Sequence, residues 1–447
     1  MRLVSTRGRS PPVDLRTALF EGLAPDGGLY MPERLDPLAP EVLEGLRGAA
    51  FSDVAEVLVG NLFGDDLADS AMDRLTDALD FPVPLVELAD GVRVLELFHG
   101  PTLAFKDVGA RFMAGLIAGY LEPGTAPLTV LVATSGDTGG AVAHAFLGAE
   151  GVRTVVLFPG GGVSHLQQRQ FTTLGGNASA VAVDGTFDDC QSMVKAAFAN
   201  ESLRASVRLT SANSINVGRL IPQMFYYAHA WAQLPPGTGP PLFSIPSGNF
   251  GNLAAALMAR RMGVPAAGFV AATNVNDVVP EYLESGALRP RPSRQTISNA
   301  MDVGNPSNFE RIRALCGDDL GRLRSEVVGS AHTDDETRRC IADVVDRAGY
   351  VLDPHSAVGY LGLQAGRRRW PQGSPIVLAT AHPAKFPEVV ELAIGGAVTV
   401  PARLAERLNE EAVVQRIPAE PQALEELLSS SRPATETLPG LPRLDRI

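Results

Sequence analysis

The sequence predicts an α/β protein, with a mostly parallel sheet covered by helices on both faces and a small separate unit at the N-terminus. Three observations carry this reading. From Val92 onward, short β-rich runs end in Gly, Ser or Asn turns and lead into helical patterns, the alternation of βαβ units. Before that point the texture differs, with short helical patterns and acidic stretches and no strand–helix alternation. The length of 447 residues, 45% apolar and 20% charged, suits a soluble globular chain of two or three domains.

Taken in order, residues 1–88 form the N-terminal unit, with a turn signal at Pro25-Asp26-Gly27-Gly28. Residues 89–386 form the core, whose strands are expected at 128–133, 154–158, 180–183, 241–245, 267–272 and 375–379. Two joints interrupt it: a turn-rich connector at 234–241, LPPGTGPP, and an Arg/Pro/Ser stretch at 289–294 that reads as a loop or mobile segment. Residues 387–447 carry helical patterns and a Pro-rich end, and no repeat is visible.

Composition excludes several function classes. The net charge is −12, and the only basic cluster is the short run 367–369, so a nucleic-acid partner is not expected. Apolar runs such as 112–121 are too short to span a bilayer, and the start, MRLVSTR, has no secretory core. Cys190, Cys316 and Cys340 are an odd set without metal spacing and read as free thiols of a reducing cytoplasm.

Lysine is nearly absent. Of 38 basic residues, 35 are Arg, and the only Lys are Lys106, Lys195 and Lys385. Arg replaces Lys as a surface charge but not as an amine nucleophile. Lys106 lies in an apolar, turn-rich stretch, FHGPTLAFKD at 98–107, which suits an amine that must lose its proton easily. Lys195 lies off the apolar stripe of Cys190, Met193, Val194, Ala197 and Phe198 and reads as a solvated surface residue. Three segments share one design, a strand ending in a turn that opens a helix: 133–140, 245–252 and 380–386. Such loops gather at the carboxyl ends of strands, where ligands bind and free helix N–H groups attract anions. Gly248-Asn249-Phe250-Gly251-Asn252 is a candidate phosphate cradle, although either glycine turn alone is equally an ordinary structural loop. No Lys follows a Gly, which rules out a P-loop, and no Gly-x-Gly-x-x-Gly supports a dinucleotide. His355 and His382 sit in suggestive turns but form no zinc pattern. A phosphate cradle with one desolvated Lys points to pyridoxal 5′-phosphate.

At these residues the chain closely resembles the threonine synthases, within the pyridoxal-phosphate fold type II (tryptophan synthase β-like) enzymes. The matching motifs run in order: HGPTLAFKD, SGDTGGA, GVSHLQQRQ, GTFDDCQ, NSINVGRLIPQ, PSGNFGN, MDVGNPSN, DPHSAV and TAHPAKF, with PDGGLYMP at 25–32 in the N-terminal unit. The resemblance implies two open, mostly parallel sheets with flanking helices. It implies that Lys106 holds the cofactor and later moves protons, that residues 248–252 hold its phosphate, and that Thr380 faces the pyridine nitrogen. Ser135, Gly136, Asp137 and Thr138 would receive the substrate carboxylate and flank the ring; many relatives carry Asn where this chain has Asp137. Asn213, Ser214 and Arg219 would bind the substrate phosphate, with Lys385 adding charge. The implied reaction turns O-phospho-L-homoserine and water into L-threonine and phosphate, in a cytoplasmic monomer or homodimer with no membrane or nucleic-acid partner. A related phospholyase or a serine/threonine dehydratase is the alternative.

Overall fold

The computed structural model describes residues 1–430, apart from positions 68, 123, 162 and 409. The Pro-rich end lies outside these residues. The chain divides into two compact units, Met1–Tyr120 with Ala212–Thr399, and Leu121–Ser211 with the segment from Val400. The N-terminal unit and most of the core are thus one body, and the segment after Phe386 is shared between the two.

The first unit is built on a six-stranded sheet in the order Val327–Ala331, Gly268–Thr273, Pro241–Pro246, Ser374–Ala379, Arg93–Glu96, Leu85–Glu87. All neighbours are parallel except the last pair. Pro241–Pro246 and Gly268–Thr273 are buried at every position, which is what helices on both faces require. The helix Pro354–Arg369 lies directly on this sheet because it presents glycines to it. A Cβ at Gly362 would stand 2.8 Å from Ser244 Oγ, and one at Gly366 2.7 Å from Val270 Cγ2. The N-terminal turn 25–32 folds back as a small antiparallel pair, Leu3–Ser5 with Tyr30–Pro32.

The second unit carries a fully parallel five-stranded sheet, Val414–Pro418, Ala178–Asp184, Val152–Pro159, Leu128–Ala133, Arg208–Ser211. One face packs on the helices Phe187–Ala199 and Pro421–Ser429 through Cys190, Met193, Val194, Leu424 and Leu428. Lys195 is exposed there, as its place off the stripe requires. All six expected strands are present. Five further strands of the two large sheets, Leu85–Glu87, Arg93–Glu96, Arg208–Ser211, Val327–Ala331 and Val414–Pro418, were not expected, the last within a segment read as helical, and neither was the small pair Leu3–Ser5 and Tyr30–Pro32. Each of the five is short and only partly buried, so none shows a continuous apolar run. The stretch 289–294 is irregular, as expected, but tied down: Arg289 pairs with Glu281, and Arg291 with Glu281 and Asp277.

Among the described residues no helix is long and apolar enough to cross a membrane, and no His/Cys/Asp/Glu group could hold a metal. All three cysteines are free and buried.

Candidate active site

Lys106 opens the helix Lys106–Tyr120, at the end of a turn that follows Arg93–Glu96. Leu103 takes a left-handed φ of 57° there, uncommon for a branched residue and a local strain the surroundings must hold. They do so by zipping this turn to the segment after Ser374–Ala379: Phe105 N donates to Thr380 O at 2.9 Å and His382 N to Leu103 O at 3.0 Å. Lys106 and Thr380 are thereby brought together from opposite ends of the core. The buried Asp107 carboxylate closes the turn, accepting from Thr102 N at 2.8 Å and Thr102 Oγ1 at 2.7 Å. Burial raises the Asp107 pKa against those hydrogen bonds and the charges of Lys385 and Arg111. Lys385 is fully buried and donates to Thr102 O at 2.8 Å. Its charge therefore supports the Lys106 turn.

The second loop, at the end of Pro241–Pro246, opens the helix Gly251–Arg261. Phe250 is left-handed, with φ 62°, and starts the helix. The backbone N–H groups of Asn249, Phe250, Gly251 and Asn252 find no acceptor among the described residues. Free amides in sequence at a helix start form an anion nest. The side-chain oxygens of Asn249 and Asn252 are occupied elsewhere. Asn249 Oδ1 accepts from Ser307 N at 2.7 Å, and Asn252 Oδ1 accepts from the hydroxyls of Tyr226 at 2.6 Å and Tyr227 at 2.5 Å. The donors left over are the four backbone amides and the buried Asn252 Nδ2, which has no partner among the described residues. Thr380 is only 6% exposed, and its hydroxyl makes no hydrogen bond among the described residues, which leaves it available to a ring nitrogen.

The third loop holds Asn213, Ser214 and Arg219. Ser214 Oγ accepts from Asn249 Nδ2 at 2.9 Å and from Asn308 Nδ2 at 3.1 Å. With its acceptor sites used by two amides, the hydroxyl is left with its proton to donate, as an anion requires. Arg219 is buried, its Nη1 donates to Ala212 O, and its Nε has no partner among the described residues. Burial lowers its pKa to about 10, so it stays charged at neutral pH. It lies against the Lys106 helix, where a Cβ on Gly109 would stand 3.0 Å from Arg219 Nε.

In the second unit, Ser135, Gly136, Asp137 and Thr138 follow Leu128–Ala133 and open the helix Asp137–Ala145. Thr134 Oγ1 accepts from Gly136 N at 3.0 Å and Gly139 N at 2.9 Å, folding the turn. Asp137 is buried and accepts from Gln167 Nε2 at 2.9 Å, so its carboxylate is oriented from its own unit.

Comparison with known proteins agrees with this geometry. A family model described as pyridoxal-phosphate dependent enzyme matches residues 82–380; models of the threonine synthase N terminus and C-terminal region match 2–78 and 356–428. The chain is 41% identical to threonine synthase of Escherichia coli (strain K12), across 96% of this chain and 99% of that one. The crystal structure of the Escherichia coli enzyme superposes with TM-score 0.90 at 40% identity, covering 96% of this chain and 99% of that one. A pyridoxal-phosphate-bound threonine synthase from Brucella melitensis superposes with TM-score 0.89 at 36% identity, covering 96% and 99%.

The chain belongs to the threonine synthase family.

As in the threonine synthases at large, its fold is type II and its cofactor is pyridoxal 5′-phosphate. The free amides of 249–252, the Thr380 hydroxyl and the single amine of Lys106 fit that cofactor's phosphate, ring nitrogen and aldehyde. Several supporting residues escaped the sequence reading. Asp353 caps the helix Pro354–Arg369 and accepts from the hydroxyl of Ser356, whose Oγ accepts from Thr380 N at 3.3 Å. His355 donates from Nδ1 to Asp353 at 2.8 Å and accepts from Ala300 N at 3.2 Å, a structural role. Arg311 braces the third loop through Ser214 O at 3.0 Å and Ile215 O at 2.6 Å. Asp353, His355, Ser356 and Asn308 lie inside the threonine synthase motifs DPHSAV and MDVGNPSN, which marked them as a group without assigning tasks.

Proposed function

We propose that this chain converts O-phospho-L-homoserine and water into L-threonine and phosphate. The observation that carries the reading is a pair of anion-binding loops in one unit: the free-amide turn 248–252 for the cofactor phosphate, and Ser214 with Arg219 for the substrate phosphate, joined by the Asn249–Ser214 hydrogen bond of 2.9 Å. A substrate with its own phosphate needs both.

When bound, pyridoxal phosphate supplies an aldehyde carbon for an amine and a ring that delocalises charge from Cα. The rest falls to side chains. Lys106 Nζ yields its place to the substrate amine, then takes the proton from Cα. A Cβ proton is removed next. Arg219, Ser214 and Asn213 hold the substrate phosphate while it leaves Cγ, and Lys385 supports the turn beside them. A proton is delivered to Cγ, which becomes the methyl group; water then adds at Cβ, and a proton returned to Cα completes L-threonine. Thr380 would hydrogen-bond the ring nitrogen without protonating it, which would limit charge withdrawal and suit an orderly sequence of proton transfers. Ser135, Gly136, Asp137 and Thr138 receive the carboxylate end of the substrate. Three buried free thiols suit a reducing cytoplasm.

The test is incubation of the purified enzyme with O-phospho-L-homoserine, measuring phosphate and threonine together. Equal amounts of both are expected. Phosphate with 2-oxobutanoate and no threonine would mean a phospholyase, and neither product would end the reading.

A further inference from the structure

The helices Asp334–Ala348 and Pro354–Arg369 flank a surface cavity of about 660 Å³. Arg339 and Arg347 of the first helix and Arg367 and Arg368 of the second line it, over the apolar Cys340 and Tyr360. Four guanidinium groups around one cavity run against a net charge of −12. Other arginines of this unit have carboxylate partners, as Arg261 has Glu326 and Arg291 has Asp277 and Glu281. These four make no ion pair among the described residues; the neighbouring Asp335 is taken by Arg338. Arg339 and Arg347 donate through Nε to carbonyls of their own helix, Asp335 O at 3.1 Å and Asp343 O at 3.0 Å, which fixes each side chain while its terminal nitrogens stay free of carboxylate partners.

Two carboxylates, Glu336 and Asp343, line the cavity against four guanidinium groups and offset only part of their charge. Glu336 is committed to capping its helix, accepting from Thr333 N at 2.7 Å and Thr333 Oγ1 at 2.8 Å, which leaves Asp343. Asp90 accepts from the Tyr360 hydroxyl and from Val92 N at 3.1 Å, and its charge acts on Arg367 and Arg347 from the edge of the cavity, leaving a smaller positive excess. Complementing the helix dipoles accounts for Arg347, Arg367 and Arg368, each in the last turn of its helix, but not for Arg339 in the middle of the first helix, nor for the convergence of all four on one cavity. Arg367 is fourteen residues beyond Asp353, roughly 20 Å along the helix axis from the residues that support Thr380.

We propose that this cavity binds a compact polyanion, a small molecule carrying at least three negative charges on phosphate or carboxylate groups. Guanidinium forks match either group in bidentate fashion. The test is titration calorimetry on the holoenzyme, whose cofactor site is filled, with pyrophosphate and citrate as probes at constant ionic strength. Saturable binding of at least one probe is expected, and which probe binds separates a phosphate from a carboxylate ligand. Affinity should fall about tenfold or more in the R347Q/R367Q double variant, a loss of two charge-assisted contacts. The control double variant R338Q/R369Q removes the same charge outside the cavity and should bind like the parent. All four side chains are solvent-facing or surface-paired, so the variants should fold. No saturable binding by the parent, unchanged affinity in R347Q/R367Q, or an equal loss in R338Q/R369Q would overturn the assignment.

Discussion

Replacing Gly248 with Ala separates two reasons for a glycine in the cofactor turn. If the turn needs glycine only so that a phosphate can approach, Gly248 and Gly251 should be equally sensitive. The structure makes them unequal. A Cβ on Gly248 would lie 2.7 Å from Met301 Cα and 2.8 Å from Ala300 O, both backbone, and Ala300 is itself held by His355. Neither atom is the end of a flexible side chain, so one segment must move. A Cβ on Gly251 meets nothing closer than Asn308 Nδ2 at 3.5 Å, an ordinary contact, and Ala is the better helix former by about 0.8–1 kcal/mol. Gly248→Ala should therefore cost about 1–3 kcal/mol as overpacking. Part of that cost should appear as displacement of the amides of 249–252, hence weaker cofactor binding. Gly251→Ala should be neutral or slightly stabilising toward unfolding. Urea unfolding of the cofactor-free proteins and equilibrium dialysis of the cofactor measure the two effects separately. Parental stability and cofactor affinity in Gly248→Ala would refute the argument, as would equal losses in both variants.

Three further outcomes follow from the site. Lys106→Ala should lose the visible absorbance of the lysine-bound cofactor and nearly all turnover, while Lys195→Ala, on an exposed helix face, should match the parent; borohydride labelling mapped to Lys195 or Lys385 would contradict this. Arg219→Ala should retain cofactor but raise KM for phosphohomoserine and lower kcat, and loss of cofactor with unchanged KM would show that the two anion loops are assigned the wrong way round. Thr380→Val keeps the shape and should weaken cofactor binding by about 1–3 kcal/mol by leaving a buried ring nitrogen unpaired, with the fold retained; parental affinity and rate would mean another group faces that nitrogen.

The legible parts of the fold were those whose signal is local. Leu128–Ala133 and Ser374–Ala379 announce themselves because strands covered on both faces must be apolar throughout. Val327–Ala331, with Gly329 and Ser330 within it, and Val414–Pro418, with alternate residues exposed, gain strand character only from pairing with Gly268–Thr273 and Ala178–Asp184. The site divides similarly. Lys106 and the turn 248–252 were legible because their chemistry resides in residue type and glycine placement. Arg311 was not, because its partners are carbonyls such as Tyr30 O, 281 positions away, and in sequence it is one more helical arginine. Lys385 was expected to add charge for the substrate phosphate, and the structure shows its ammonium donating to the Thr102 carbonyl.

The scarcity of lysine now has a physical reading residue by residue. Arg311 is fully buried and satisfied because its fork meets Tyr30 O, Ser214 O, Asn308 Oδ1 and Ile215 O, with all five N–H donors used. Lys385 is equally buried, and its compact ammonium donates to the Thr102 carbonyl within the field of Asp107. In the proposed role Lys106 loses its proton and forms a bond, which a guanidinium cannot do. Lys195, exposed on the helix Phe187–Ala199, meets neither condition, and an Arg would serve there as well. A composition so biased toward Arg keeps Lys where burial or reactivity demands it, and both demands converge on the one turn that carries Lys106.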